Sequence, residues 1–198
     1  MGKAYHVTER IGENPVVSHP PDPDALRWTP WAAAPDLLAP PVAAALEAWQ
    51  PPDVAVAAID AEVADTAAFC ERYGIEPAQS ANCVVVAGRR GEETRYAACV
   101  VLATTRADVN GLVRRRLDAR KASFAPREDT VAATGMEFGG ITPVGLPADW
   151  PVWVDARVAQ ARWVVIGSGI RGSKLSLSGA TLLSLPGAEA VEDLAGPA

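Results

Sequence analysis

Histidine is almost missing from this chain. Across 198 residues only His6 and His19 occur, so everything beyond residue 19 lacks an imidazole. That argues against Ser-His-Asp and Cys-His catalysis there, and against most zinc enzymes. Cysteine is scarce too: Cys70, Cys83 and Cys99 are odd in number and none stands in CxxC spacing. A disulfide framework or zinc ribbon is therefore not expected, and buried free thiols are. No run of about 18 uncharged apolar residues occurs, so no membrane-spanning helix is expected. The first residues, MGKAYHVTERIGENP, lack the apolar stretch of a secretory signal. A cytoplasmic, soluble protein follows as the expectation. Positive charge is the minority sign, with 18 Lys and Arg against 24 Asp and Glu and a net charge of −6. Such a balance opposes a non-specific coat on nucleic acid but leaves room for a local basic patch.

What is present is apolar material: 49% hydrophobic residues, enough for a core. Residues 1–52 hold ten of the seventeen prolines together with Trp28, Trp31 and Trp49. They read as an extension that docks on its own domain, with one short helix at about 41–49. From residue 53 to 198 the pattern is that of a folded domain. DVAVAAID reads as a strand. AEVADTAAFCERYG reads as one amphipathic helix, capped by Asp60 and stopped at Gly74. ANCVVVAGRRGEETRYAACVVLAT reads as a hairpin; pairing Ala87 with Arg95 would set Cys83 opposite Cys99. A helix follows from Asp108, then a strand at KASFA and a short helix ending at Gly135. Later come strands in WPVWVDA, RWVVIGSG and SKLSLS, and a last helix capped by Ser178. The fold class is α/β or α+β, with a mixed, mostly antiparallel sheet.

Few constellations suggest chemistry. GSG at 167–169 follows a strand but leads into strand-like LSLS, so it lacks the context of a dinucleotide fingerprint. Seven basic residues fall between 106 and 127, with Asp108, Asp118, Glu128 and Asp129 interleaved or adjacent. They read as a solvated helix face or as a small phosphate-contacting patch. Asp155 would cap a helical turn or point into a cleft. Ser123, Thr142 and Ser168 have no evident base to activate them. The most distinctive segment is TGMEFGGITPVGLP, residues 134–147, with four glycines and two prolines among apolar residues. It reads as a loop held in one shape, whose backbone N–H groups could stabilise an oxyanion without any side chain.

These blocks, taken in order, resemble the YbaK/prolyl-tRNA synthetase-associated domain family of aminoacyl-tRNA editing domains. The resemblance runs from about 55 to 190. It includes AAFCERYGIEPAQSANCVVV, TTRADVNGLVRRRL and ARKASFAPREDTVAATGMEFGGITPVGLP, where Gly139-Gly140-Ile141-Thr142-Pro143 fits a G-x-x-x-P motif. WPVWVDARV and VVIGSGIRGSKLSLSGATLLSLPGA complete it. The resemblance implies a barrel-like sheet with surrounding helices and hydrolysis of the ester between a small mischarged amino acid and a tRNA 3′ end. Substrates of the Cys- or Ala-tRNA(Pro) kind and attack by water, activated by the substrate's own ribose hydroxyl, are implied with it. Partners would be the aminoacyl-tRNA and an aminoacyl-tRNA synthetase, with no cofactor and no metal.

One position departs from the pattern. Where family members carry a lysine on the first hairpin strand, this chain has Asn82. A charge-assisted contact is worth ~1.5–3 kcal/mol, so the change bears on turnover rather than fold. Lys121 is the candidate replacement. The expected catalytic positions are thus Gly139, Gly140, Asn82 and Lys121. Thr142, Pro143, Ser168, Gly169 and Asp155 would border the substrate, and Arg114, Arg115 and Arg120 would meet tRNA. Two readings stand: a free-standing deacylase, or a module that keeps the pocket without turnover and binds tRNA ends, a nucleotide or a protein.

Overall fold

The computed structural model describes residues 26–197; the HPPDPD run and both histidines lie outside them. The first elements are β1 (Thr29–Pro30), α1 (Pro40–Trp49) and β2 (Ala55–Ala58). Next come α2 (Thr66–Tyr73), a long hairpin of β3 (Ala81–Arg90) and β4 (Glu93–Leu102), and β5 (Thr105–Ala107). A π-helical turn, Val109–Val113, runs into α3 (Arg114–Arg116), β6 (Lys121–Phe124) and α4 (Arg127–Thr134). The chain continues through β7 (Val152–Asp155), α5 (Ala156–Ala159), β8 (Val164–Gly167) and β9 (Ser173–Leu177). It closes with α6 (Gly179–Leu183), β10 (Ala188–Val191) and β11 (Ala195–Pro197).

The strands form a four-stranded sheet in the order β1-β2-β9-β8, a five-stranded sheet in the order β10-β7-β4-β3-β6, and the pair β11-β5. Pairing is antiparallel except for β4–β7 and β7–β10. An isolated parallel bridge, Ser80–Val165, joins the two larger sheets. The mixed, mostly antiparallel α+β architecture is as expected, built as two linked sheets around a core. That core includes Leu46, Val56, Val100, Val154, Ile166, Leu175 and Leu182. A second cluster, with Val86, Cys99, Val113, Trp153 and Leu194, packs separately.

Several local expectations shift, each for a physical reason. The helix expected from Asp60 is broken. Asp60 caps only the 3-10 turn Ala61–Val63, accepting from Glu62 N at 2.9 Å, and Asp65 caps α2 afresh, accepting from Ala67 N at 3.1 Å. Two competing N-caps start two segments. The hairpin forms one residue out of the expected register. Ala87 pairs with Tyr96, so Cys83 lies opposite Val100 and Cys99 opposite Val84. The turn is the two-residue Gly91-Glu92, with Gly91 at φ 64°, the left-handed geometry that suits strand twist. A slip of one residue exchanges faces: Cys83 packs against the first cluster and Cys99 belongs to the second. The helix from Asp108 begins as a π-turn because the carboxylate takes both Gly111 N (2.9 Å) and Leu112 N (2.7 Å).

The described part of the N-terminal extension is docked, as its tryptophans suggest. β1 pairs with β2, and Val42 and Leu46 are fully buried in the first cluster. Trp31 Nε1 donates to Pro51 O at 3.4 Å and Trp49 Nε1 to Ser184 Oγ at 3.1 Å.

Candidate active site

The glycine-rich loop starts where α4 stops. Gly135 caps that helix at φ 65°, and the Thr134 hydroxyl donates to Thr130 O and accepts from Met136 N. Met136, 1% exposed, anchors the descending chain. The loop is then tied to the turn that follows β8. Glu137 N donates to Gly169 O (2.8 Å), Gly169 N to Gly140 O (2.8 Å), and Arg171 N to Glu137 Oε2 (2.7 Å). Within the loop, Gly140 N donates to Glu137 O at 2.9 Å.

These bonds give Gly140 a different task from the expected one. Its amide is already engaged, and a Cβ there would lie 2.6 Å from the backbone of Ile170. A Cβ on Gly167 would meet Gly140 O at 2.4 Å. Gly140 and Gly167 must be small because two backbones cross there. The neighbours differ: Gly139 N–H and Ile141 N–H meet no acceptor among the described residues. Both residues line a cleft of about 610 Å³, a size suited to a small ligand.

That cleft opens where the two larger sheets meet. Asp65, Thr66, Ala67 and Cys70 contribute from the start of α2, and Ala81, Asn82 and Cys83 from β3. Phe138, Gly139 and Ile141 form the loop side, with Gly167 and Lys174 behind. Asn82 Oδ1 accepts from Thr66 Oγ1 at 2.6 Å, so the amide nitrogen carries its remaining donors.

Lys174 is the group that sequence reasoning missed. In SKLSL it alternates with Leu175 and Leu177 and so looks like an ordinary outward lysine. Instead it is only 7% exposed, covered by α2 and the turn before it. Nζ donates to Ala64 O at 3.0 Å and sits 5.2 Å from the centre of the Phe69 ring. Among the described residues no carboxylate forms an ion pair with it. Burial holds the ammonium below the usual lysine range; Arg171 adds to this, while Cys70 and Asp65 oppose it. Burial pushes the Cys70 and Cys83 thiols up, so neither is poised as a thiolate nucleophile.

The remaining expected positions fall elsewhere. Lys121 is exposed on β6, paired with Arg89, and is not among the cleft residues. Thr142 and Pro143 are buried behind the loop, and Thr142 Oγ1 has no partner among the described residues. Ser168 is fully buried, hydrogen-bonded to Ser173 Oγ at 2.7 Å. Gly169, at φ 87°, packs against Ala39 and Val42 of the extension. Asp155 is 1% exposed and caps α5, binding Arg157 N (3.0 Å), the Arg157 guanidinium and Ala195 N (3.1 Å). Burial pushes its carboxyl up, but the bonds from Arg157 and Ala195 outweigh that and hold it below the ordinary value. Arg114 donates to Asn110 O. The helix carrying Arg114 and Arg115 packs on the second cluster, whereas Cys83 faces the first. Arg114, Arg115 and Arg120 are not among the cleft residues.

Residues 60–185 match the aminoacyl-tRNA editing domain family. The chain belongs to that family. Similar solved structures share the fold of this editing domain. One is a candidate trans-editing enzyme for prolyl tRNA synthetase: 23% identical, TM-score 0.67, covering 78% of this chain and 94% of the other. Another is the hypothetical protein APE2540: 19% identical, TM-score 0.69, covering 79% and 99%. A third is a candidate signal transduction protein from Marinobacter aquaeolei VT8. It is 20% identical with a TM-score of 0.51, covering 78% of this chain but 30% of that chain. No helix among the described residues is long and apolar enough to cross a membrane.

Proposed function

We propose that this editing domain hydrolyses the ester that joins a small mischarged amino acid to the 3′ ribose of a tRNA. The observation that carries the reading is the pairing, in one cleft, of unengaged loop amides with a buried cation that forms no ion pair among the described residues. The Gly139 and Ile141 N–H groups receive the carbonyl oxygen as it becomes an oxyanion. Lys174 supplies positive charge to the same space, where low dielectric strengthens its effect. Water attacks the carbonyl carbon and gives a proton to the ribose 2′-hydroxyl network; the 3′-oxygen leaves and takes up a proton. The products are the free amino acid and a deacylated tRNA. Small lining residues, Ala67, Ala81 and Ala103 among them, suit a side chain the size of alanine, serine or cysteine. Asn82 donates through its amide nitrogen and fixes the amino acid rather than carrying charge.

The reading that the cleft binds without turnover draws on the loss of a lysine at Asn82. Lys174 answers it by placing a cation on another wall of the same cleft. The purified chain is expected to release Ala, Ser or Cys from mischarged tRNA(Pro) faster than buffer does. Binding of these tRNAs with no release above buffer would establish the alternative. A synthetase partner would show as faster release in the presence of prolyl-tRNA synthetase.

A further inference from the structure

Two large apolar side chains stand exposed among the described residues, Phe124 at 65% and Phe138 at 50%. Only Phe138 lines the cleft. Its exposure is built in. Met136 is buried two residues before it, Glu137 is tied to Gly169 O and Arg171 N, and Gly139 follows at φ 92°. The ring is held half in water at the edge of the cleft, which leaves aromatic surface open to a ligand.

One cation lies over that ring and a second lies against the next residue, in a chain of net charge −6. The Arg127 guanidinium lies 4.7 Å from the ring centre. Arg171 lies against the residue after the ring: a Cβ on Gly139 would lie 2.6 Å from its Nη1, while its Nη2 donates to Ala61 O at 2.8 Å. An exposed ring with one guanidinium over it and a second beside the adjacent Gly139 offers one aromatic surface and two anion donors. An unpaired nucleobase with its phosphate fits that chemistry, because every base presents a π-face and every nucleotide a negative charge.

We infer that Phe138 is the stacking platform for the 3′-terminal base of the RNA, with Arg127 and Arg171 beside its phosphate. The inference rests on the proposed deacylase reading for the orientation of the RNA, with the ester inward and the base at the lip. A base paired in a duplex hides its faces, so the platform selects a single-stranded end.

The test is fluorescence anisotropy with the full chain and two labelled RNA minihelices, one ending in CCA and one with an abasic terminal nucleotide. Stacking predicts that the intact end binds about 5- to 150-fold tighter. Phe138→Ala is expected to abolish that preference, and Phe138→Trp and Phe124→Ala to keep it. Because Phe138 is exposed, Phe138→Ala is expected to fold, which circular dichroism checks. Equal binding of the two RNAs, no measurable binding, or a preference that survives Phe138→Ala would overturn the platform. Hydrolysis is measured in parallel on mischarged tRNA. No release by the wild type, together with a base preference that vanishes in Phe138→Ala, would remove the deacylase reading and leave the platform standing.

Discussion

Replacing Lys174 by methionine separates what the residue does for the fold from what it does for the cleft. Methionine keeps most of the buried stem and removes the charge, along with the bond to Ala64 O and the ammonium's approach to the Phe69 ring. Burying an ammonium is costly, and a hydrophobic side chain of similar volume is often neutral or stabilising in its place. The melting temperature of Lys174→Met is therefore expected to hold or rise. Turnover should fall. If the cation contributes one charge-assisted contact to the transition state, worth ~1.5–3 kcal/mol, the loss is ~10- to 150-fold in kcat/KM. The pH dependence of stability gives a second reading. Burial lowers the folded-state value of Lys174 below the ordinary 10.5. The unfolded chain then binds more protons between the two values, so this residue's penalty is full below the folded value and is lost as pH rises toward the unfolded one. Wild type should gain stability relative to Lys174→Met across that alkaline window. The assay is single-turnover deacylation at neutral pH beside thermal melts from pH 7 upward. Turnover within about two-fold of wild type, or a fall that merely tracks a lower melting temperature, would refute the reasoning.

Other variants probe the rest of the site. Asn82→Lys placed in the Lys174→Met background returns a cation to the cleft from β3, and single-turnover rates should recover in part. Gly140→Ala forces a Cβ against the backbone of Ile170 at 2.6 Å; overpacking of this kind costs ~1–3 kcal/mol, read as a lower urea midpoint together with lost turnover. Asp155→Asn should lower stability by ~1–3 kcal/mol through its broken bonds to Arg157 and Ala195 while leaving kcat/KM of the folded protein unchanged. Because the folded Asp155 value lies below 3.8, its contribution in the wild type should persist at neutral pH and be lost as pH falls from 3.8 through the lower folded value.

Local chemistry was the legible part of the sequence. Gly74 and Gly135 stop their helices in the left-handed conformation, and Asp108 and Ser178 cap theirs. Each is a property of a few adjacent residues. The hairpin was legible as a hairpin, but its register turned on whether the turn centred on Gly91 or between Gly91 and Glu92, a choice the strand residues do not announce. Strand β10 was not legible because AEAV owes its extended state to parallel pairing with β7. Lys174 was hidden for a related reason. Alternation in SKLSL identifies the face but not what covers that face, and α2, more than a hundred residues earlier in the chain, is what covers it. The glycines of 134–147 were visible as a constrained loop. That Gly140 faces another backbone and Gly139 faces the cleft depends on where the turn after β8 passes.

The docked extension changes where this module can be cut. The family match begins at residue 60, yet the rear of the cleft is held by residues before it. Ala39 N donates to Ser168 O at 3.2 Å, and Ser173 Oγ donates to Leu37 O. A Cβ on Gly169 would strike Ala39, and one on Gly145 would strike Pro41 O. The loop and the turn after β8 are shaped as much by this borrowed buttress as by each other. A fragment trimmed to the family boundary would keep every residue of the cleft and lose the surface that those residues lean on. Grafting or transplanting the site therefore requires carrying the segment from about residue 35 along with it.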